Sequence, residues 1–192
     1  MLRFGSSFGG NEKNVKKFGT FILGVIVGAI LVPLAVYVYF VTGEAPVATS
    51  SAPMPFEKML AHKALNARVD REMPRKTPIV ADEANLVAGA QIYREHCAVC
   101  HGLPGQPESA IAKGMYPHPP KLMEGTGVTD DEPGETYWKV ANGIRLTGMP
   151  GFSRQLSEIQ MWQVSLLAAG ADKLPRTAKD ILAATAPSEH SK

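Results

Sequence analysis

The chain has 192 residues, 45% of them hydrophobic and 20% charged, with a formal net charge of +2 at pH 7. That composition is ordinary for a soluble domain with a hydrophobic appendage, and so small a charge argues against a nucleic-acid partner. The charge is uneven: residues 1–17 hold four basic and one acidic side chain, whereas residues 82–175 hold seven basic and eleven acidic ones. A mildly acidic domain tied to a basic end fits a membrane-held protein.

Residues 1–17 are rich in Gly and Ser, with Lys13, Lys16 and Lys17 close to an apolar run. From Phe18 to Val41 no residue is charged. A helix over 18–41 would be about 36 Å long, enough to span a hydrocarbon core of roughly 30 Å. Pro33 falls near its middle, which membrane helices tolerate, and Tyr37, Tyr39 and Phe40 gather at the far end as an interfacial belt. The lysines put residues 1–17 in the cytoplasm and everything after Gly43 across the membrane. A cleaved signal peptide is the competing reading, with small residues near Ala45–Ala48 as its cleavage site. The apolar core of such a peptide is typically ~7–15 residues, shorter than this run, so an uncleaved single-pass anchor is expected.

Residues 42–81 read as a tether, with Ala, Pro, Thr and Ser dominating 45–55. Phe56, Met59, Leu60 and Lys63 recur at helical spacing, so Pro55–Arg71 is a candidate short amphipathic helix, lying on the membrane, on the domain or in solvent. His62 reads as a surface histidine. Pro74 and Pro78 end that helix. A domain over 82–175 follows, then a tail over 176–192 with a candidate short helix at 177–185.

The domain opens with Asp82 as N-cap, followed by Leu86, Ala90, Tyr93 and Cys97 at helical spacing. Gly89 inside this helix costs up to ~1 kcal/mol relative to Ala, which implies a close helix contact there. A second helix runs Pro133–Asn142, capped by Asp130 or Asp131 and stopped by Gly143. A third starts with a Ser157/Gln160 capping box, carries Ile159, Trp162, Leu166 and Ala169 as an apolar stripe, and ends at Gly170. The first and third helices are expected to cross, with Gly89 and Tyr93 facing Trp162. No period-two alternation is long enough for a sheet, so the fold class is all-α with long loops.

The first of these helices runs into Cys97-Ala98-Val99-Cys100-His101, which holds both cysteines of the chain. Two cysteines three apart, with a histidine directly after, form the pattern of covalent c-type haem attachment. Each thiol adds across one haem vinyl group, so both sulfurs must share one face of a helical turn. The next residue then offers its imidazole to the iron. A thioredoxin-like redox pair would need a βαβ context, and a zinc site would need a second ligand pair; neither is visible. A disulfide between residues three apart would be strained and would staple little chain. One covalent haem c is therefore the expected cofactor, with Cys97 and Cys100 as thioethers and His101 as proximal iron ligand. A helical domain of about 95 residues buries little core alone, so the porphyrin is expected to be needed for folding.

Candidates for the opposite face of the iron are His118, Met115, Met123, Met149 and Met161. Met161 sits on the last predicted helix beside Trp162, which favours core packing. Met149 stands in Thr147-Gly148-Met149-Pro150-Gly151-Phe152. Pro150 holds Met149 extended, and the flanking glycines let backbone approach a flat porphyrin. Met149 is thus the favoured distal ligand.

The CAVCH run, the helix with Gly89 and Tyr93, the Asn142–Pro150 run and the tryptophan-bearing last helix together resemble a class I c-type cytochrome. The likeness is nearest to small bacterial domains such as the haem-bearing subunits of cbb3-type oxidases, and it covers roughly residues 82–170. It implies a cytochrome c fold of three to four helices around one haem. It also implies that a proline carbonyl, here that of Pro120, accepts the Nδ1–H of the proximal histidine; a rigid Pro119-Pro120 loop is the plainer reading. The expected function is one-electron transfer between respiratory donor and acceptor complexes, without catalysis. The place expected for it is the outer face of a bacterial inner membrane, with the haem domain in the periplasm. The rivals are a fixed electron-entry subunit of an oxidase or dehydrogenase, and a haem enzyme or gas sensor with a labile sixth site near His118 and Arg145. Asp130, Asp131 and Glu132 form either a docking patch or a solvated helix start.

Overall fold

A computed structural model of the chain describes residues 9–124, 129 and 131–184, and every regular element among them is helical. The chain divides into two compact units, one ending at Met54 and the other beginning at Pro55.

The first unit is built on α1 (Gly9–Val41), which begins nine residues before Phe18 and runs unbroken through Pro33. Its Val15–Val41 stretch is long and apolar enough to cross a membrane. Phe18, Leu23, Ile30 and Val36 all stand exposed around this helix, a surface suited to lipid rather than water. At its end Thr42 donates both its N–H and its hydroxyl to the Val38 carbonyl, each at 2.9 Å, and Gly43 turns the chain at φ 83.

In the second unit α2 (Glu57–Glu72) comes first. Its C-terminal half packs on the domain: Val69 and Met73 are buried, and Trp138 Nε1 donates to Glu72 Oε2 at 3.3 Å. Pro74 lies so close to Gly134 that any β-carbon there would strike its carbonyl oxygen. Residues 69–74 therefore pack on the helical domain, and the second unit begins at Pro55. Nothing in the local pattern reveals this, because Val69 and Met73 are buried by a surface more than 60 residues away in sequence.

The domain core lies where α3 (Glu83–His96), α6 (Pro133–Asn142), α7 (Glu158–Ala169) and α8 (Arg176–Ala183) meet. Asp82 caps α3 by accepting from Asn85 N at 2.9 Å. Leu86, Ala90 and Tyr93 turn the buried face of α3 towards α7, as their spacing predicts. Ser157 and Gln160 close the capping box of α7 in both directions. The crossing of α3 over α7 is centred on Gly89, whose Cβ would lie 2.8 Å from the Gln163 carbonyl carbon.

Three local expectations are corrected. Trp162 stacks on Tyr137 of α6, with ring centroids 4.2 Å apart and planes 18° from parallel, while Gly89 faces the Gln163 backbone. Ile159 is exposed, and the buried set on α7 is Met161, Trp162 and Val164 to Ala168. Glu132 is the N-cap residue of α6 and makes no side-chain cap; Asp131 instead pairs with Lys139 at 3.3 Å, and Asp130 lies outside the described residues. Pro133 at N1 has no N–H to satisfy, which lessens the need for a side-chain cap.

The segment after 175 is part of the core in the described residues. Ala178 and Leu182 of α8 are buried, and Arg94 Nη1 donates to the carbonyls of Ile181, at 2.6 Å, and Ala184. Thr177 Oγ1 donates to Glu83 Oε1 at 2.7 Å. A cation on α3 thus satisfies carbonyls that the end of α8 leaves open.

Candidate haem-attachment site

The attachment motif is a single helical turn. Cys97 ends α3 by donating its N–H to Tyr93 O, and α4 (Ala98–His101) starts from it. Cys97 O accepts from Cys100 N at 3.1 Å and from His101 N at 2.9 Å, and Gly102 stops the turn at φ 76. In such a turn residues i and i+3 lie on one side, which is where two vinyl groups of a single porphyrin must be met. Both thiols are free and half-buried. Burial, with Cys100 close by, pushes the Cys97 thiol up to about 12, the opposite direction from the lowered thiol of a disulfide oxidoreductase.

His101 Nδ1 lies 2.7 Å from the Pro120 carbonyl oxygen. A carbonyl can only accept, so the proton sits on Nδ1 and the lone pair on Nε2. Burial lowers the His101 pKa, opposed by the Pro120 bond, which favours the neutral ring that a metal ligand requires. The backbone of this region is tied down from two sides. Tyr93, buried in α3, donates its hydroxyl to Gly102 O at 2.8 Å. Glu124 accepts from Gly105 N at 2.9 Å and from Lys121 Nζ at 3.2 Å, linking the turn after His101 to the segment that carries Pro120. Sequence reasoning missed both ties; no local pattern marks a bond between a loop carboxylate and an amide 19 residues away.

Met149 is half-buried against the core. Its N–H bonds Thr147 Oγ1 at 3.1 Å, and its carbonyl accepts from Ile144 N at 3.2 Å. Gly143, at φ 70, makes this loop possible: a β-carbon there would lie 2.5 Å from Gly151 N and 2.8 Å from Met149 O. Met115 packs its methyl group where a side chain on Gly148 would stand. Met161 is buried in the core on α7, and Met123 is half-buried at its margin. His118 is exposed and lies 3.4 Å from Glu108, and Arg145 is exposed.

Two thiols on one helical turn and an imidazole with a bare Nε2 fit covalent haem, and Met149 stands on a separate loop at the margin of the core. Among the described residues no three His, Cys, Asp or Glu side chains gather, so the two cysteines have no zinc-type companions there. Residues 84–166 match the family model described as cytochrome C oxidase, cbb3-type, subunit III. Among solved structures the chain is similar to a reducing HAO-like protein complex of Kuenenia stuttgartiensis, at 24% identity and a TM-score of 0.43. That likeness covers 49% of this chain and 46% of the other, so less than half of the neighbour's length is spanned. No curated protein matches the chain. On the family match, residues 84–166 are a class I c-type cytochrome domain, and the domain carries covalently attached haem c.

Proposed function

We propose that the chain is a membrane-anchored monohaem cytochrome that passes single electrons between respiratory-chain components on the outer face of a bacterial inner membrane. In this reading residues 1–17 are cytoplasmic, residues 18–41 span the bilayer, and residues 82–175 hold the haem in the periplasm. Haem iron, when bound, supplies the one-electron oxidation and reduction. Cys97 and Cys100 would attach the group, and His101 Nε2 and Met149 would ligate its iron. The Pro120 carbonyl fixes the ring of His101 and raises its basicity. The observation that carries this reading is the 2.7 Å contact between His101 Nδ1 and Pro120 O, which leaves Nε2 as the only imidazole nitrogen with a free lone pair. His/Met ligation leaves no open position and raises the potential, which supports a carrier over an enzyme.

The test is the optical spectrum of the purified full-length protein, oxidised and reduced, for wild type and Met149→Ala. The wild type is expected to be low-spin with a thioether–iron charge-transfer band, and the variant to lose the band and bind carbon monoxide. A wild type that already binds carbon monoxide, with no change in the variant, removes Met149 as ligand and favours the sensor reading. A second reading, a fixed haem subunit of a larger complex, is supported by the family model's description as an oxidase subunit. Co-purification of a stoichiometric complex from solubilised membranes would establish it.

A further inference from the structure

We propose that the outer face of α2 is a lipid-seating surface, which lays the haem domain against anionic phospholipid headgroups. The proposal rests on the reading of α1 as a membrane anchor. Met59, Leu60 and Lys63 share one face of the helix, at spacings of one, three and four, and Phe56 stands just before its first residue. Phe56 is 70% exposed, Leu60 59% and Met59 46%. The opposite face of α2 is already committed, since Val69 is buried on the domain and Glu72 holds Trp138. Rolling the helix to hide Phe56 and Leu60 would expose Val69.

Two further observations point the outer face at lipid. Phe56 adopts φ 64 and ψ −1, a left-handed conformation rare for a bulky residue, and this holds the ring out at the helix start. Such strain is characteristically kept where it serves a contact. Charge is the second. Residues 57–76 carry six basic and three acidic side chains, whereas residues 82–175 carry seven and eleven. Arg68, Arg71 and Arg75 are already paired with Glu72 and Glu132, but Lys58 and Lys63 interleave with Phe56, Met59 and Leu60 at the start of the helix, the composition that settles into an anionic headgroup layer. The linker keeps α2 in range: residues 42–56 reach at most roughly 50 Å even when fully extended. Seated this way, the haem domain stays beside the bilayer, and its partners must offer docking sites near the membrane surface.

The two native cysteines are both taken by haem, so one added cysteine can be labelled uniquely. Nitroxides are placed by Leu60→Cys, Val27→Cys or Lys179→Cys in the full-length holoprotein, reconstituted in nanodiscs containing phosphatidylglycerol. Collision with oxygen, which partitions into lipid, is compared with collision with a water-soluble nickel chelate. The oxygen-to-nickel ratio at 60 is expected to exceed that at 179 several-fold, and to collapse in the Lys58→Glu/Lys63→Glu background. A label at 60 as open to nickel as that at 179, with 27 lipid-protected, overturns the seat while leaving the anchor intact. A label at 60 shielded from both reagents shows protein covering the face and also overturns it. Nickel access at 27 overturns the anchor, and the seat with it.

Discussion

At the scale of single residues, the site is a set of backbone bonds that aim a few side chains. Pro120 aims His101, Thr147 and Gly143 shape the loop around Met149, and Glu124 joins the attachment turn to the segment that carries Pro120. Glu124 gives this last tie a pH signature. Its carboxyl is held below the ordinary 4.5, first by the Gly105 N–H and then by Lys121. A folded pKa below the unfolded one means that the folded state binds fewer protons. The contribution is therefore complete above the unfolded pKa of 4.5 and is lost as pH falls through the lowered folded value. Glu124→Gln should lower the melting temperature of the holoprotein at pH 7, and the gap to wild type should close below pH 4.5. Thermal scans of both proteins across that window check it; a gap that persists in acid would mean that charge is not what holds the loop. The attachment motif itself was legible because it is contiguous. Pro120 came from resemblance to a family, and the Glu124 tie was illegible because a loop carboxylate carries no mark of its acceptor role.

Among the helices, those with strong internal signals were readable from sequence, and those defined by a distant surface were not. Asp82 and the Ser157/Gln160 box set the starts of α3 and α7, and Gly143 and Gly170 set the ends of α6 and α7. By contrast, the docking of α2 depends on Trp138 and Gly134, and that of α8 depends on Arg94, a donor 87 residues away from Ile181. The partner of Trp162 was misjudged for a related reason: helical spacing says which face is buried but not which ring lies across from it. Gly89 was the informative exception, because a glycine inside a helix implies a near neighbour. That neighbour is the backbone at Gln163, which cannot swing aside as a side chain would. Gly89→Ala should therefore force α3 and α7 apart, at a cost of about 1–3 kcal/mol. For a domain of this size that is a fall in melting temperature of roughly 4–8 °C per kcal/mol. Calorimetry of the holoprotein checks it, and an unchanged transition would mean that the crossing is looser than the packing implies.

For the whole molecule, the question is how much of the fold depends on the prosthetic group. The size of the domain alone led to the expectation that haem is required for folding. The core qualifies this. Leu86, Ala90 and Tyr93 of α3, Met161, Val164 and Leu167 of α7, and Ala178 and Leu182 of α8 belong to one buried cluster, to which the attachment loops add only part-buried side chains. The loops differ. Between 98 and 124, regular structure is limited to α4 and to α5 (Ala110–Lys113), each four residues long, and 143–153 has none. Their apolar side chains, Leu103, Leu122, Met149 and Phe152, reach the core only at its margin and stay half-exposed. Short helices and marginal burial give little stability of their own, so these segments need a further apolar surface to lean on. Replacing both thiols, Cys97→Ser with Cys100→Ser, should therefore split the molecule. Amides of α3, α7 and α8 should keep most of their hydrogen-exchange protection, while those in 98–124 and 143–153 lose it. Uniform loss would restore the stronger expectation that the porphyrin is needed for the entire domain, and uniform retention would mean that the loops hold their shape alone.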